Sequence, residues 1–161
     1  NGFRDAFVND TWTGVTVRAS TDSTGAEVPY AFGAFAGMDA IISADGRYVF
    51  FDGNGTTLVS GDTNGMFDAF RKDLVTNETI RVNTNSSGEQ ALGGFTSVTD
   101  VSSDGRYVIF ESTATNLVSG DSNGVKDVFR KDLVTGETIR VSMNSSGSEA
   151  LGGISSEDAV M

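Results

Sequence analysis

Acidic and amide side chains recur at one fixed spacing, Asp-x-Asn-Gly-x-x-Asp, in residues 62–68 and again in residues 121–127. Calcium is bound in proteins by about six to eight oxygen atoms from carboxylates, amides and backbone carbonyls on tightly curled loops. The spacing therefore predicts a structural calcium site in each copy, and residues 1–5 retain the end of the same motif. The predicted ligands are Asp62, Asn64, Asp68, Asp121, Asn123 and Asp127, the carbonyls of Met66 and Val125, and Asn1 and Asp5.

A second interpretation of the motif needs no metal. Asn-Gly favours a tight turn, and an Asp side chain next to a turn accepts hydrogen bonds from backbone N–H groups. Asp68 could also pair with a neighbouring arginine. The motif differs from an EF-hand because its glycine comes early and no glutamate stands at the twelfth position. The residues by themselves leave the calcium site and the paired turn both open.

The composition narrows the classes of function. The chain has 161 residues and a net charge of −11, and it contains neither cysteine nor histidine. An acidic chain is a poor partner for nucleic acid and for anionic membrane surfaces, and no apolar run is long enough to cross a membrane. Without cysteine and histidine there is no disulfide, thiolate nucleophile or imidazole base. An acidic chain rich in Gly, Ser, Thr and Asn fits a secreted protein, extracellular or periplasmic.

The chain is built from an internal repeat. Residues 43–101 align with residues 102–160 without a gap, and 38 of the 59 aligned positions are identical. Residues 1–27 align with the second half of the same unit. A repeat of this kind predicts similar supersecondary units that pack against their neighbours.

Each repeat has the pattern of β-strands. Short aromatic and β-branched runs, such as Tyr48–Phe51, follow Asp-Gly pairs, which are strong hairpin signals. A second hairpin is predicted around Thr76-Asn77 and again around Thr135-Gly136. We find no helical periodicity of useful length. The sequence therefore predicts an all-β fold with four-stranded antiparallel units in tandem.

These residues carry a resemblance to a known family. The segments Ser102–Phe110, Asn116–Phe129 and Asp132–Ser142 resemble the bacterial TolB-type, WD40-like (PD40) β-propeller repeats. The resemblance implies four-stranded β-propeller blades around an axis, and it implies no single activity. It divides the chain into a partial blade with a crossing segment at residues 1–41, a blade at 42–101, and a blade with the first strand of the next at 102–161.

Two complete blades with partial blades at both ends leave sheet edges exposed. We therefore expect further copies of the same repeat as partners, in a longer parent chain, in a homo-oligomer or in a fibre. The expected function is a non-catalytic extracellular scaffold or binding module, with a self-assembling fibre as the alternative.

A glycoside hydrolase that uses two carboxylates is a less favoured alternative, because the prominent acids recur in every repeat whereas a catalytic centre is usually unique. The unrepeated acids are Asp39, Asp100 and Glu157. The basic segments at 71–73 and 130–132 are expected to form an exposed strand face with cross-strand ion pairs.

Overall fold

The structure is a computed structural model that describes residues 2–29 and 40–149. In this part of the chain the regular elements are all β-strands, as the sequence predicted. The first hairpin consists of β1 and β2, the first sheet of β3 to β6, and the second sheet of β7 to β10. The strands are β1 Phe7–Asn9, β2 Thr16–Arg18, β3 Ile41–Ile42, β4 Tyr48–Gly53, β5 Asp68–Asp73, β6 Thr79–Arg81, β7 Thr96–Val101, β8 Tyr107–Ser112, β9 Asp127–Asp132 and β10 Thr138–Arg140.

Both four-stranded sheets are antiparallel meanders in which neighbours in sequence are neighbours in space. The central pairs have the same register, because Phe51 lies opposite Phe70 in the first sheet and Phe110 lies opposite Phe129 in the second. The ring centroids of these pairs are 5.7 and 5.5 Å apart. The repeat in the sequence is thus reproduced as a repeat in the pairing and in the core.

The repeat in the sequence is offset from the sheet. The repeat at residues 42–101 ends with β7, but β7 pairs with β8 and so belongs to the second sheet. The strand expected after the second repeat lies in residues 150–161, outside the described residues. Among the residues described there is no helix long and apolar enough to span a membrane.

Asp-Gly turns connect the first two strands of each sheet, as predicted. Gly46 and Gly105 have φ angles of 73° and 69°, which glycine adopts without the steric cost of a side chain. In the first turn the carboxylate of Asp45 accepts hydrogen bonds from the hydroxyl of Ser43 and from the backbone N–H of Arg47. The turn residues therefore set where the second strand of each sheet begins.

The core lies between successive sheets. Phe50 and Ala69 of the first sheet pack with Phe110 and Phe129 of the second. On its opposite face the first sheet packs Phe51 and Phe70, among others, against residues of the first hairpin and its flanks. The first sheet therefore buries one face against the first hairpin and the other face against the second sheet.

A buried lysine joins the first hairpin to the first sheet. The Nζ of Lys72, on β5, donates hydrogen bonds to the backbone carbonyls of Asp22 and Asn77, at 2.7 and 2.8 Å. The hydroxyl of Thr79 donates to the carbonyl of Thr21 at 2.7 Å. Lys72 is only 1% exposed, so the expected exposed basic face was wrong at this position. Its charge is satisfied by one carbonyl of the preceding unit and one of its own hairpin turn. Strand periodicity does not reveal the partner in the preceding unit.

The same joint recurs between the first and second sheets. Lys131 donates to the carbonyls of Thr84 and Asn85 at 3.2 and 3.1 Å, and Thr138 donates to the carbonyl of Thr84 at 2.6 Å. Lys131 is likewise buried rather than exposed. Burial lowers the pKa of both lysines. One set of contacts is therefore used at two successive joints.

A carboxylate also crosses the joint between the two sheets. Asp52, at the end of β4, accepts hydrogen bonds from the backbone N–H of Val98 and the hydroxyl of Ser97, both at 2.9 Å. The side chain is buried, and burial raises the pKa of Asp52 to about 7. The equivalent residue at the end of β8 is Glu111, which pairs with Lys126.

Candidate functional site

The two acids of the first Asp-x-Asn-Gly-x-x-Asp motif converge on an arginine. Asp62 lies in the connection between β4 and β5, Asp68 begins β5, and Arg81 ends β6. The guanidinium Nη2 of Arg81 lies 3.1 Å from Oδ1 of Asp62, and its Nε lies 3.2 Å from Oδ2 of Asp68. The Asp62 side chain is 1% exposed and that of Arg81 is 8% exposed. The cluster is therefore a buried bridge between the long connection and two strands.

Amide groups complete the first cluster. The Nδ2 of Asn64 donates to both carboxylate oxygens of Asp68, at 3.1 and 3.2 Å, and to the carbonyl of Ala91 at 3.0 Å. The Oδ1 of Asn64 accepts from the backbone N–H of Met66 at 2.9 Å. The Nδ2 of Asn83 also donates to Asp68, at 2.6 Å. The amide oxygen expected to bind a metal thus accepts a backbone hydrogen bond.

The second motif has the same arrangement with one more acid. Arg140, at the end of β10, lies 3.4 Å from Oδ1 of Asp121 and 3.5 Å from Oδ2 of Asp127. Asn123 donates to Asp127 at 2.9 Å and accepts from the backbone N–H of Val125 at 3.1 Å. Arg140 also contacts Glu149 at 3.0 Å. The repeat in sequence therefore produces a repeated ion-pair cluster.

One difference separates the two clusters. In the first, the amide oxygen of Gln90 accepts from Arg81 at 2.6 Å, at the position where the second has the carboxylate of Glu149. Two carboxylates thus face Arg81 and three face Arg140. Burial raises the pKa of Asp68, against the lowering effect of Asn83 and Arg81. Burial and the nearby Asp127 raise the pKa of Asp121.

The N-terminal motif is only partly described. Asn1 lies outside the described residues. Asp5 accepts a hydrogen bond from the hydroxyl of Ser20 at 2.9 Å and lies 3.6 Å from Nε of Arg18. Arg18 ends β2 as Arg81 ends β6, so the same pairing of an acid with the last strand occurs in the third copy.

The donor set of the first cluster fits the ion pair more closely than a calcium ion. Calcium needs about six to eight oxygens, whereas the oxygens of Asn64 and Asp68 already accept hydrogen bonds and the guanidinium of Arg81 lies between the acids. No group of three or more carboxylates arranged to hold a metal occurs within residues 2–29 and 40–149. Both oxygens of Asp62 are nevertheless buried without a hydrogen bond there. Calcium at these motifs stays a prediction from the sequence.

The predicted pairing of Asp68 with an arginine is confirmed, but sequence reasoning did not identify which arginine, nor that each acid pair faces the arginine at the end of the last strand. Arg18, Arg81 and Arg140 stand at the same place in each copy, two residues after Thr16, Thr79 and Thr138. A cation that recurs in step with a recurring acid pair is a signal for an ion pair, and it was available in the repeat alignment.

Of the three candidate catalytic acids, the structure describes Asp100. Asp39 and Glu157 lie outside the described residues. Asp100 lies in β7 beside a register shift, and its Oδ1 accepts the backbone N–H of Val101 at 2.8 Å.

Comparison with known proteins finds likeness at the level of the fold. No known family profile and no curated protein sequence matches the chain. Among solved structures, TolB from Acinetobacter baumannii aligns with 95% of this chain and 30% of its own, at 21% identity and a TM-score of 0.49. A protein described as TolB from Agrobacterium tumefaciens aligns with 86% of this chain and 42% of its own, at 19% identity and a TM-score of 0.48.

An oligogalacturonate lyase from Vibrio parahaemolyticus aligns with 85% of this chain and 28% of its own, at 18% identity and a TM-score of 0.39. The chain thus spans less than half the length of each of these proteins. TolB proteins are thus among the solved structures that this chain resembles, as the repeat motif led us to expect.

Proposed function

We propose that the chain is a non-catalytic binding or scaffold module whose sheets are successive blades of a β-propeller-type array. The supporting observation is that one joint is used twice. Lys72 holds the loop after β2, and Lys131 holds the loop after β6, through equivalent carbonyl contacts. A joint repeated without change imposes the same rotation between successive units, which is the geometric basis of a propeller or solenoid.

The acidic clusters support a structural role for the recurring charges. Each acid pair of the motif faces an arginine from the last strand of its own sheet. A buried carboxylate that is paired in this way is held in place and has little freedom to act as a nucleophile or base. We therefore propose that the recurring acids build the fold and that the module has no hydrolase activity.

We propose an extracellular or periplasmic location on composition alone, since the chain is acidic and rich in Gly, Ser, Thr and Asn. A self-assembling fibre remains the second proposal, and one observation favours it. Within the described part of the chain, β1 pairs only with β2, and open strand edges promote association.

Electron microscopy of the purified protein, with and without calcium, tests the proposal. We expect discrete particles of uniform size, whereas filaments would support the fibre instead. A panel of polysaccharides, including oligogalacturonates and other plant and bacterial glycans, tests the non-catalytic assignment. Turnover that disappears in Asp100→Asn would contradict it.

We propose calcium as the alternative cation of the motif, in place of the arginine seen here. Calcium would need Arg81 to leave the two carboxylates of the first cluster. The second cluster, with Glu149 as a third acid, is the more negative of the two and is the better place to look for it.

A further inference from the structure

The first hairpin presents an open strand edge with a defined set of contacts. Alternate residues of an antiparallel strand direct their backbone groups to opposite neighbours. Asp10 donates its N–H to Val15, and Ala6 accepts from Ala19, so these residues face β2. Phe7 and Asn9 therefore direct their backbone groups to the other edge of β1. Within residues 2–29 and 40–149, no strand pairs with that edge.

Asp10 occupies the position that binds an arginine in both complete sheets. Asp73 receives the guanidinium of Arg47 at 2.7 Å, and Asp132 receives that of Arg106 at 2.8 Å. Each arginine directly precedes the second strand of its sheet. Asp10 accepts the same turn hydrogen bonds as Asp73, from the N–H groups two and three residues ahead. No arginine of the described residues reaches it, and the side chain is exposed.

A groove lies beside this edge of β1. In the complete sheets, a tyrosine of the second strand occupies the equivalent position. Tyr48 stacks on Arg71 at 4.7 Å and packs so closely on Gly105 of the next unit that a Cβ there would lie 2.6 Å from its ring. Val8 of the first hairpin is equivalent to Arg71 of the first sheet. Gly46 of the first sheet is equivalent to Gly105 of the second sheet. Val8 and Gly46 line a groove of about 670 Å³, and nothing in the described part of the chain lies within 4 Å of a Cβ built at Gly46.

Phe7 supplies a third contact point. Its equivalent Phe70 is fully buried beside Phe51 of the second strand, whereas Phe7 is 56% exposed. In the complete sheets, the second strand (β4 or β8) and the arginine before it fill the positions that are open in the first hairpin. These positions are the edge of β1, the arginine partner of Asp10, the groove and the exposed ring of Phe7.

We propose that the free edge of β1 binds an extended strand of sequence Arg-Tyr-Val-x-Phe in the antiparallel direction. Its arginine pairs with Asp10, its tyrosine enters the groove between Val8 and Gly46, and its phenylalanine lies opposite Phe7. The inference rests on the proposed function, because the partner strand is of the repeat's own type, as in β4 and β8. Main-chain hydrogen bonds provide affinity in such strand addition, and the side-chain contacts provide specificity.

A fluorescent peptide with the sequence of residues 43–53 tests the proposal by anisotropy titration against the intact protein. We expect saturable binding, together with slowed hydrogen exchange of the amides of Phe7 and Asn9. Binding should weaken about tenfold in Asp10→Asn, and as much when the peptide carries alanine in place of Arg47, since one charge-assisted bidentate contact is lost. Asparagine keeps the turn hydrogen bonds of Asp10, so this variant should fold.

A gain-of-affinity variant strengthens the test. Val8→Arg restores the arginine that stacks on tyrosine in both complete sheets, and it should tighten binding about two- to fivefold. A scrambled peptide and the distant variant Glu89→Gln serve as controls. Equal binding of the scrambled peptide, or no saturable binding, would overturn the proposal.

Self-association of the protein that covers β1 and resists the peptide would also overturn the proposal, because the occupant would then be a second copy. Discrete particles in the microscope without peptide binding would support the proposed module and contradict only the strand-binding site. Filaments together with peptide binding would support the strand-binding site and contradict only the proposed module.

Discussion

The Nζ atom of Lys72 lies 2.7 Å from the carbonyl oxygen of Asp22, which precedes it in the chain by 50 residues. The contact joins two units of the repeat, and Lys131 makes the equivalent contacts one unit later. Since both lysines are buried, the contact replaces water at a charged group, which makes the joint costly to break.

Replacement of Lys72 by methionine should destabilise the fold by about 1–3 kcal/mol, because it removes the hydrogen bonds that a buried, charged donor makes to the carbonyls of Asp22 and Asn77. Lys131→Met should cost a similar amount, and the two effects should add, since the two lysines share no partner. Urea unfolding measures both. Val75→Ala, at a side chain that is 75% exposed, is the control and should change stability by less than about 0.5 kcal/mol. Lysine variants whose free energy of unfolding equals that of this control would show that the lysine contacts contribute nothing to stability.

Asp52 should make stability depend on pH. Its pKa is raised by burial to about 7, so the folded state holds the proton more tightly than the unfolded state. The contribution of protonated Asp52 to the free energy of unfolding is therefore complete below the ordinary pKa of an aspartate, near 4, and is lost as pH rises through about 7. Asp52→Asn removes the titration, and its stability relative to the unmodified protein should rise by a few kcal/mol, in order of magnitude, between pH 5 and pH 8.

Denaturant unfolding of both proteins across this range measures the difference. Asn suits the variant because its amide oxygen can still accept the N–H of Val98. Asp73 has the opposite dependence, because its ion pair with Arg47 holds its pKa below the ordinary value, and its contribution to stability is lost as pH falls below about 4, outside this range. Parallel stability curves for the two proteins would contradict the role given to Asp52.

Two glycines at equivalent turns provide a matched pair. Gly46 and Gly105 have nearly equal positive φ angles, so alanine should cost about 1–2 kcal/mol at either position from backbone strain alone. Only Gly105 lies against Tyr48. Gly105→Ala should therefore lower stability by about a further 1–3 kcal/mol through overpacking. Calorimetric melting compares the two, and equal losses would show that the tyrosine yields without cost.

Arginine and calcium can be separated as the cation of the first motif. With Arg81 between the two carboxylates, we expect a chelator to leave the melting temperature of the unmodified protein unchanged. Arg81→Met leaves Asp62 and Asp68 buried without a cation, so it should destabilise by about 3–5 kcal/mol, and calcium should restore part of the loss. A melting temperature that falls on chelation, and that stops responding in the combined Asp62→Ala and Asp121→Ala variant, would instead establish calcium as the resident ion.

The sequence by itself determined the class of fold, the repeat and the turns. Aromatic and β-branched runs such as Tyr48–Phe51 and the Asp-Gly pairs act locally, since they concern residues adjacent in the chain, and each appears where it was predicted. The tertiary structure alone decided the partners of the charges. Arg81 reaches Asp62 and Asp68 from another strand, and Lys72 is buried because a loop from the preceding unit covers it. Such contacts depend on how units stack, and strand periodicity holds no information about the neighbour across the joint.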